Sequence, residues 1–259
     1  MQIADPVPFC GKKGGNIMAE KKKKKIISAD DGKEISVKEK KEQKRREAKP
    51  VGNAGGLRTG AAVLWVLAIV MEVLAVMVVL GKINLGFMST MTQLIVFIAL
   101  DLVFVIIGSQ LWKKSNKIDP ASEANKLKFW LWNNMGVIVC VIAFVPIVIL
   151  MLMNKDLDKK TKAIVTVVAI IALLIGGVAG YDFNPVSEEQ QAAAISAFGD
   201  ESVFWAPFGK VYHTHDDCQS LNQSDTLTYG SVEQAIAANR TRLCAFCARE
   251  DNITGVVTD

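Results

Sequence analysis

The sequence predicts a bundle of four membrane-crossing α-helices with a small soluble α+β domain at its C-terminal end. Three observations predict it. Four long apolar runs lie between residues 61 and 180, a dense basic segment precedes them, and both histidines and three of the five cysteines follow them. Residues 19–60 hold 14 basic and 7 acidic side chains, whereas the stretch from 181 onward holds 4 basic and 12 acidic ones, a net formal charge of −8. So divided a chain is not one soluble globular domain. Its 51% hydrophobic content excludes a wholly disordered chain, the lack of a Gly period excludes a collagen-like one, and five cysteines in 259 residues exclude a disulfide-stapled secreted domain.

In chain order, residues 1–60 read as a basic, mostly disordered cytoplasmic arm. Lys21 to Lys25, Lys33, Lys38, Lys40, Lys41, Lys44, Arg45, Arg46, Lys49 and Arg58 lie on it, and Pro50, Gly52, Gly55 and Gly56 mark a flexible joint before the membrane. Lysines near an anionic lipid surface are each worth about 1 kcal/mol, so the arm is expected to contact anionic lipid. Lys13-Gly14-Gly15 is encodable as a purine-rich ribosome-binding sequence just ahead of Met18, which makes Met18 the expected native start in a bacterial gene and Cys10 an artefact.

The spans are expected at 61–81, 88–111, 129–153 and 163–180, together a transmembrane domain over 61–180. Each approaches the roughly 20 residues that a helix needs to cross about 30 Å of hydrocarbon, and none shows the alternation of a barrel strand. No cleavable signal peptide is expected, since no short apolar segment precedes the first run. The basic excess before the first span places the N-terminus in the cytoplasm, and four crossings return the C-terminus there. Trp65, Trp112, Trp130 and Trp132 near those same ends fit a headgroup belt. Lys155, Lys159, Lys160 and Lys162 in the 154–162 connection run against this orientation, since that connection is then external.

Two acids, Glu72 and Asp101, fall near the middle of the first two spans. Charge is costly at that depth, so both are expected to face the bundle, either as a hydrogen-bonded carboxyl pair or as part of a proton or ion path. Asn133 and Asn134 read as interfacial, Pro146 as a tolerated kink, Gly176 and Gly180 as a small-xxx-small packing pair, and Cys140 as a small buried side chain.

Beyond Tyr181 the chain turns polar. Residues 181–202 read as a linker with a short helix, opened by the capping box Ser187/Gln190 and reaching about Phe198. A domain over 203–250 then holds His213-Thr-His215-Asp-Asp-Cys218, a second capping box at Ser231/Gln234, and Cys244-Ala-Phe-Cys247; residues 251–259 form a tail. Two cysteines two residues apart form a thiolate knuckle, and either His213 or His215 with Cys218 completes a tetrahedral Cys3His zinc site. A metal also explains how some fifty residues with few large apolar groups can fold. A redox pair at Cys244 and Cys247 is the competing reading, but no βαβ pattern surrounds it, and a cytosolic setting keeps thiols reduced.

The run VYHTHDDCQSL followed by YGSVEQAIAANRTRLCAFCARE resembles the zinc-binding domain at the N-terminus of Ada-type DNA repair proteins, and more closely the small Ada-like zinc modules of bacterial proteins. The resemblance covers about 203–250, under a fifth of the chain. It implies a compact α+β fold around one Zn2+ held by His213, Cys218, Cys244 and Cys247, with His215 as the second choice for the first ligand. In the repair proteins a zinc-bound thiolate of a Cys-x3-Cys pair accepts a methyl group from DNA phosphate. Here His213 stands at the first position of that pair and the spacing is longer by one residue, so methyl transfer is not expected.

The acidic tail also lacks the clustered cations that neutralise phosphates, so no nucleic-acid partner is expected. Serine-triad, phosphate-loop and metalloprotease patterns are absent from the sequence, and no enzymatic activity is expected. The expectation is therefore a non-catalytic multi-pass protein of the cell membrane that displays a structural zinc module to the cytosol for an unidentified protein partner. Its alternatives are a small proton- or ion-coupled transporter using Glu72 and Asp101, and a membrane-tethered zinc or redox sensor.

Overall fold

Each long apolar run becomes a helix, and most of the helices start on a side-chain cap. The computed structural model describes residues 24–30, 32–34, 52–198 and 201–258; Cys10, Met18 and most of the basic arm lie outside the described residues. Helix α1 (Ala54–Val79) starts where Asn53 accepts the Gly56 N–H, and α2 (Thr90–Ile118) starts where Ser89 accepts the Thr92 N–H. Then come α3 (Lys126–Asn133), α4 (Met135–Met153) and α5 (Lys159–Gly180), the last capped by Asp158 on the Thr161 N–H. Four of these, α1, α2, α4 and α5, are long and apolar enough to cross a membrane.

Boundaries differ from the sequence reading in three places, each for a local reason. The first helix begins at Ala54, so Gly55 and Gly56 form its first turn and not a joint. Arg58 on that turn pairs with Asp119 at 2.6 Å and lies 5.4 Å over the Trp132 ring, which holds the extra turns in place. The second helix runs past residue 111 to Ile118, carrying Lys113, Lys114 and Lys117 as helical side chains. The third expected span, 129–153, is broken at Asn134, whose Nδ2 donates to Trp130 O at 2.9 Å and whose Oδ1 accepts the Asp182 N–H at 3.1 Å. Both asparagines are buried against neighbouring segments, Asn133 accepting from Asn116 Nδ2 at 3.3 Å.

Inside the bundle α1 packs along α2, and α4 along α5, with α2 also against α5. Their shared core includes Ala68, Leu94, Ile98, Phe144, Ile147, Val165 and Ala169. Close approach depends on glycine: a Cβ on Gly180 would stand 2.7 Å from the Gly136 carbonyl carbon, and one on Gly176 would stand 2.7 Å from Cys140 Sγ. Only 33% of each apolar window is buried, and Val66, Leu174 and Val178 point outward, as lipid-facing side chains do. Trp65 and Trp112 are buried against each other with centroids 5.2 Å apart, so of the four expected belt residues these two are packing residues while Trp130 stays exposed.

The α+β domain recruits more chain than 203–250. Strand β1 (Lys25–Ser28) pairs in parallel with β4 (Thr226–Gly230), which pairs on its other side with antiparallel β2 (Val203–Trp205). The segment expected as part of a disordered arm thus supplies an edge strand, burying Ile26, while Gly32 turns the chain with φ +67° and Ile27 bridges back to Glu34. Helix α6 (Glu188–Phe198), expected as a spacer, opens on the foreseen Ser187/Gln190 box and buries Ala194 and Phe198 in the domain core. Strand β3 (Val211–Tyr212) pairs with β5 (Arg242–Leu243), and two short helices, α7 (Val232–Ala237) on its Ser231/Gln234 box and α8 (Ala245–Glu250), complete the unit.

Candidate metal centre

Four donors converge in the domain core. His213 directly follows β3 and bridges to Phe204, its N–H donating to Phe204 O and its carbonyl accepting the Phe204 N–H, both at 2.7 Å. Cys218 starts a 3-10 turn over Gln219–Leu221. Cys244 follows β5, tied by its N–H to Tyr212 O at 2.9 Å, and serves as the N-terminal cap residue of α8, which carries Cys247 one turn on. A strand pair, a tight turn and a helix start therefore position the four donor residues.

The side chains meet at bonding range of a common centre. Their ligand atoms all lie within 4.8 Å of one another and all four residues are buried. Cys218 Sγ is 3.9 Å from Cys244 Sγ, and Cys247 Sγ is 3.8 Å from His213 Nδ1. A tetrahedral ion with metal–sulfur bonds of about 2.3 Å and metal–nitrogen bonds of about 2.0–2.1 Å has edges of roughly 3.6–3.8 Å, which the Cys218–Cys244 and His213–Cys247 pairs approach. None of these cysteines is in a disulfide.

Electrostatics prepares the donors unequally. Burial pushes the Cys218 thiol up to about 12, helped by the neighbouring Cys247 and Cys244. Burial also works against the Cys244 thiolate, but N–H groups of Cys247 and Phe246 and the Ser220 hydroxyl, 3.6 Å away, outweigh it and bring this thiol below its ordinary value. Burial holds His213 down to about 4, aided by Lys24, so its imidazole is neutral with a lone pair for a metal. Three buried thiols beside a neutral imidazole form a set of soft donors that a divalent ion satisfies by displacing protons.

His215, the other histidine that the spacing left open, stands apart. Its Nε2 lies 2.7 Å from Asp251 Oδ1, its side chain is 40% exposed, and the hydrogen bond to Asp251 raises its pKa. Two contributors had no clear signal in the sequence. Ser220 reaches Cys244, and Lys24 donates to Asp216 O at 3.0 Å, three residues from His213. Lys25 pairs with Glu34 at 3.5 Å, both side chains staying exposed.

Glu72 and Asp101 both face the bundle interior, 8% and 2% exposed. No hydrogen bond joins them, contrary to the expected carboxyl pair; Glu72 Oε1, Asp101 Oδ1 and the nearby-depth Thr166 Oγ1 are each buried without a partner. No protein-family model, curated protein or solved structure matches the chain.

Proposed function

We propose that this is a membrane protein whose α+β domain is a structural zinc module, displayed to the cytosol as an interaction or regulatory surface and performing no catalysis. The buried His213, Cys218, Cys244 and Cys247 cluster carries this reading. Four protein donors fill a tetrahedral shell, and a catalytic zinc keeps one position for water or substrate. Zinc is favoured over other ions by the three-sulfur, one-nitrogen set, and the Ada-like motif over 203–250 points the same way. The acidic domain surface suits a protein partner better than a nucleic acid.

Chelation of the metal from the full chain in detergent tests it. Hydrogen exchange is expected to rise sharply over 203–250 while the spans stay protected, because binding and folding of the domain are linked. Protection that survives complete metal removal would overturn the structural role.

A second reading, proton or ion passage through the bundle, is supported by the unpartnered buried oxygens of Glu72, Asp101 and Thr166. Its test is flux in liposomes: Glu72→Gln abolishes it if the reading holds, and an absence of any flux by the unsubstituted protein sinks it.

A further inference from the structure

A cleft of about 450 Å³ lies where the bundle meets the α+β domain. The last turns of α2 form one wall, the chain leaving α5 forms another, and the end of α7 closes it. Its depth along the bundle is set by Lys113, whose ammonium donates to Ala179 O at 2.7 Å on the final turn of α5. That is the level at which two spans end, and therefore the headgroup level of a surrounding bilayer.

The wall chemistry is that of an anion site. Lys113, Lys114 and Lys117 all line it, against one carboxylate, Asp182. The ammonium groups are held by neutral acceptors, with the Asp182 charge offsetting Lys113 and Lys117 in part: Lys113 turns to Ala179 O and Tyr181 O, and Lys117 donates to Asn239 Oδ1 on the domain. Each ammonium has three N–H donors, so both keep capacity for a ligand, and Lys114 has no partner among the described residues. Arg240 adds to the positive field at Lys117.

Asp182 gives the second, independent clue. It is only 6% exposed, its Oδ1 accepts the Asn184 N–H at 3.1 Å, and its buried Oδ2 has no donor. A buried carboxylate oxygen left unpaired is costly, and in a cleft of net positive charge the missing donor is most simply a hydroxyl carried by the anion itself. On the rim, Tyr181 and Phe183 pair edge to face at 4.8 Å and remain exposed, as aromatic rings at a membrane surface do.

We propose that this cleft binds the headgroup of an anionic phospholipid bearing a free hydroxyl, of the phosphatidylglycerol kind. Its phosphate rests among Lys113, Lys114 and Lys117, and its hydroxyl donates to the Asp182 carboxylate. Because Lys117 also holds Asn239, the lipid fastens the domain to the end of the bundle. The shared chemistry is a hydroxylated phosphate ester; its position at the spans' ends assigns it to lipid rather than to a soluble ester.

Native mass spectrometry of the full chain in detergent tests this, with phosphatidylglycerol, phosphatidylmethanol, phosphatidylcholine and soluble glycerol 3-phosphate as probes. Phosphatidylglycerol is expected to bind more tightly than phosphatidylcholine, and to weaken about fivefold for each lysine removed. Lys114→Gln is the decisive variant, since this side chain is exposed and has no partner among the described residues, and Lys114→Arg should restore binding. Asp182→Ala should erase the preference for phosphatidylglycerol over phosphatidylmethanol, which has the same charge and no hydroxyl. Equal retention of phosphatidylglycerol and phosphatidylcholine, or no effect of Lys114→Gln, overturns the proposal. Glycerol 3-phosphate binding as tightly as the lipid, with the same lysine dependence, overturns it in favour of a soluble ester.

Discussion

At the scale of single residues, small polar side chains decide what the long apolar runs leave open. Asn134 is the clearest case: it ends one helix, begins the next, and accepts the N–H of Asp182 from a segment 48 residues away. Asn134→Leu keeps the size but leaves that buried N–H unpaired, which costs about 1–3 kcal/mol. Thermal unfolding of the full chain in detergent should show the loss, with faster hydrogen exchange at 181–184; an unchanged midpoint would mean that the bond adds nothing. The two histidines teach the same lesson. Spacing alone allows either to face Cys218. What separates them is that His213 directly follows Tyr212, a fully buried strand residue, and is clamped by β2, whereas His215 sits on the open turn beyond and finds Asp251.

At the scale of elements, pairings across the ends of the chain matter most. Ile26 is buried on β1, and Ile26→Ala should destabilise the α+β domain by about 2–5 kcal/mol, the usual range for a large aliphatic side chain cut to alanine. Hydrogen exchange at β4 reads this directly, and unchanged protection there would show that the strand is dispensable. Helix α6 offers a pH test. The Ser122 hydroxyl and the Glu123 N–H hold the Glu189 carboxyl down to about 2, below the ordinary 4.5. A depressed folded-state pKa stabilises the docked helix fully above the unfolded value, and this contribution fades as pH falls from 4.5 toward 2. Spin labels at Ala124→Cys and Ala192→Cys should report a narrow distance at neutral pH that broadens at about pH 3, and Glu189→Gln should be broad throughout. A distribution insensitive to both changes would remove this contact from the account.

Much of this level was legible in the sequence. Both capping boxes, at Ser187 and Ser231, open helices as their residue types predict, and Gly176 and Gly180 make the close contact that small residues permit. The helix break at Asn134 was not, because hydrophobicity continues through Trp130, Leu131 and Trp132 and hides it. Nor was β1, since a four-residue strand has too little periodicity to announce itself and its partner lies 201 residues further on. Its faint signal was two isoleucines between a lysine run and an Asp31-Gly32 turn pair.

For the whole molecule, the β1 and β4 pairing means that segments from before and after the four-helix bundle meet in one domain. The account places that domain in the cytosol. Impermeant maleimide on intact cells should label Asp156→Cys in the external 154–158 loop, and Phe208→Cys, at a position 99% exposed on the domain, only after permeabilisation. The reverse pattern would invert the topology and place the thiols in an oxidising compartment. Of the lysines at 155–162, which weigh against a cytosolic placement of both ends, one has a local use: Lys162, on the first turn of α5, donates to Leu152 O and Asn154 O at 2.7 and 2.9 Å, closing the end of α4.

The proposed role of the domain depends on an ion that His213, Cys218, Cys244 and Cys247 could hold. Metal analysis of the purified full chain is therefore the most direct test. One zinc per chain, lost in His213→Ala and in Cys244→Ser but retained in His215→Ala, is the predicted result. A chain without metal, or one whose zinc survives loss of His213 and disappears with His215, would contradict it.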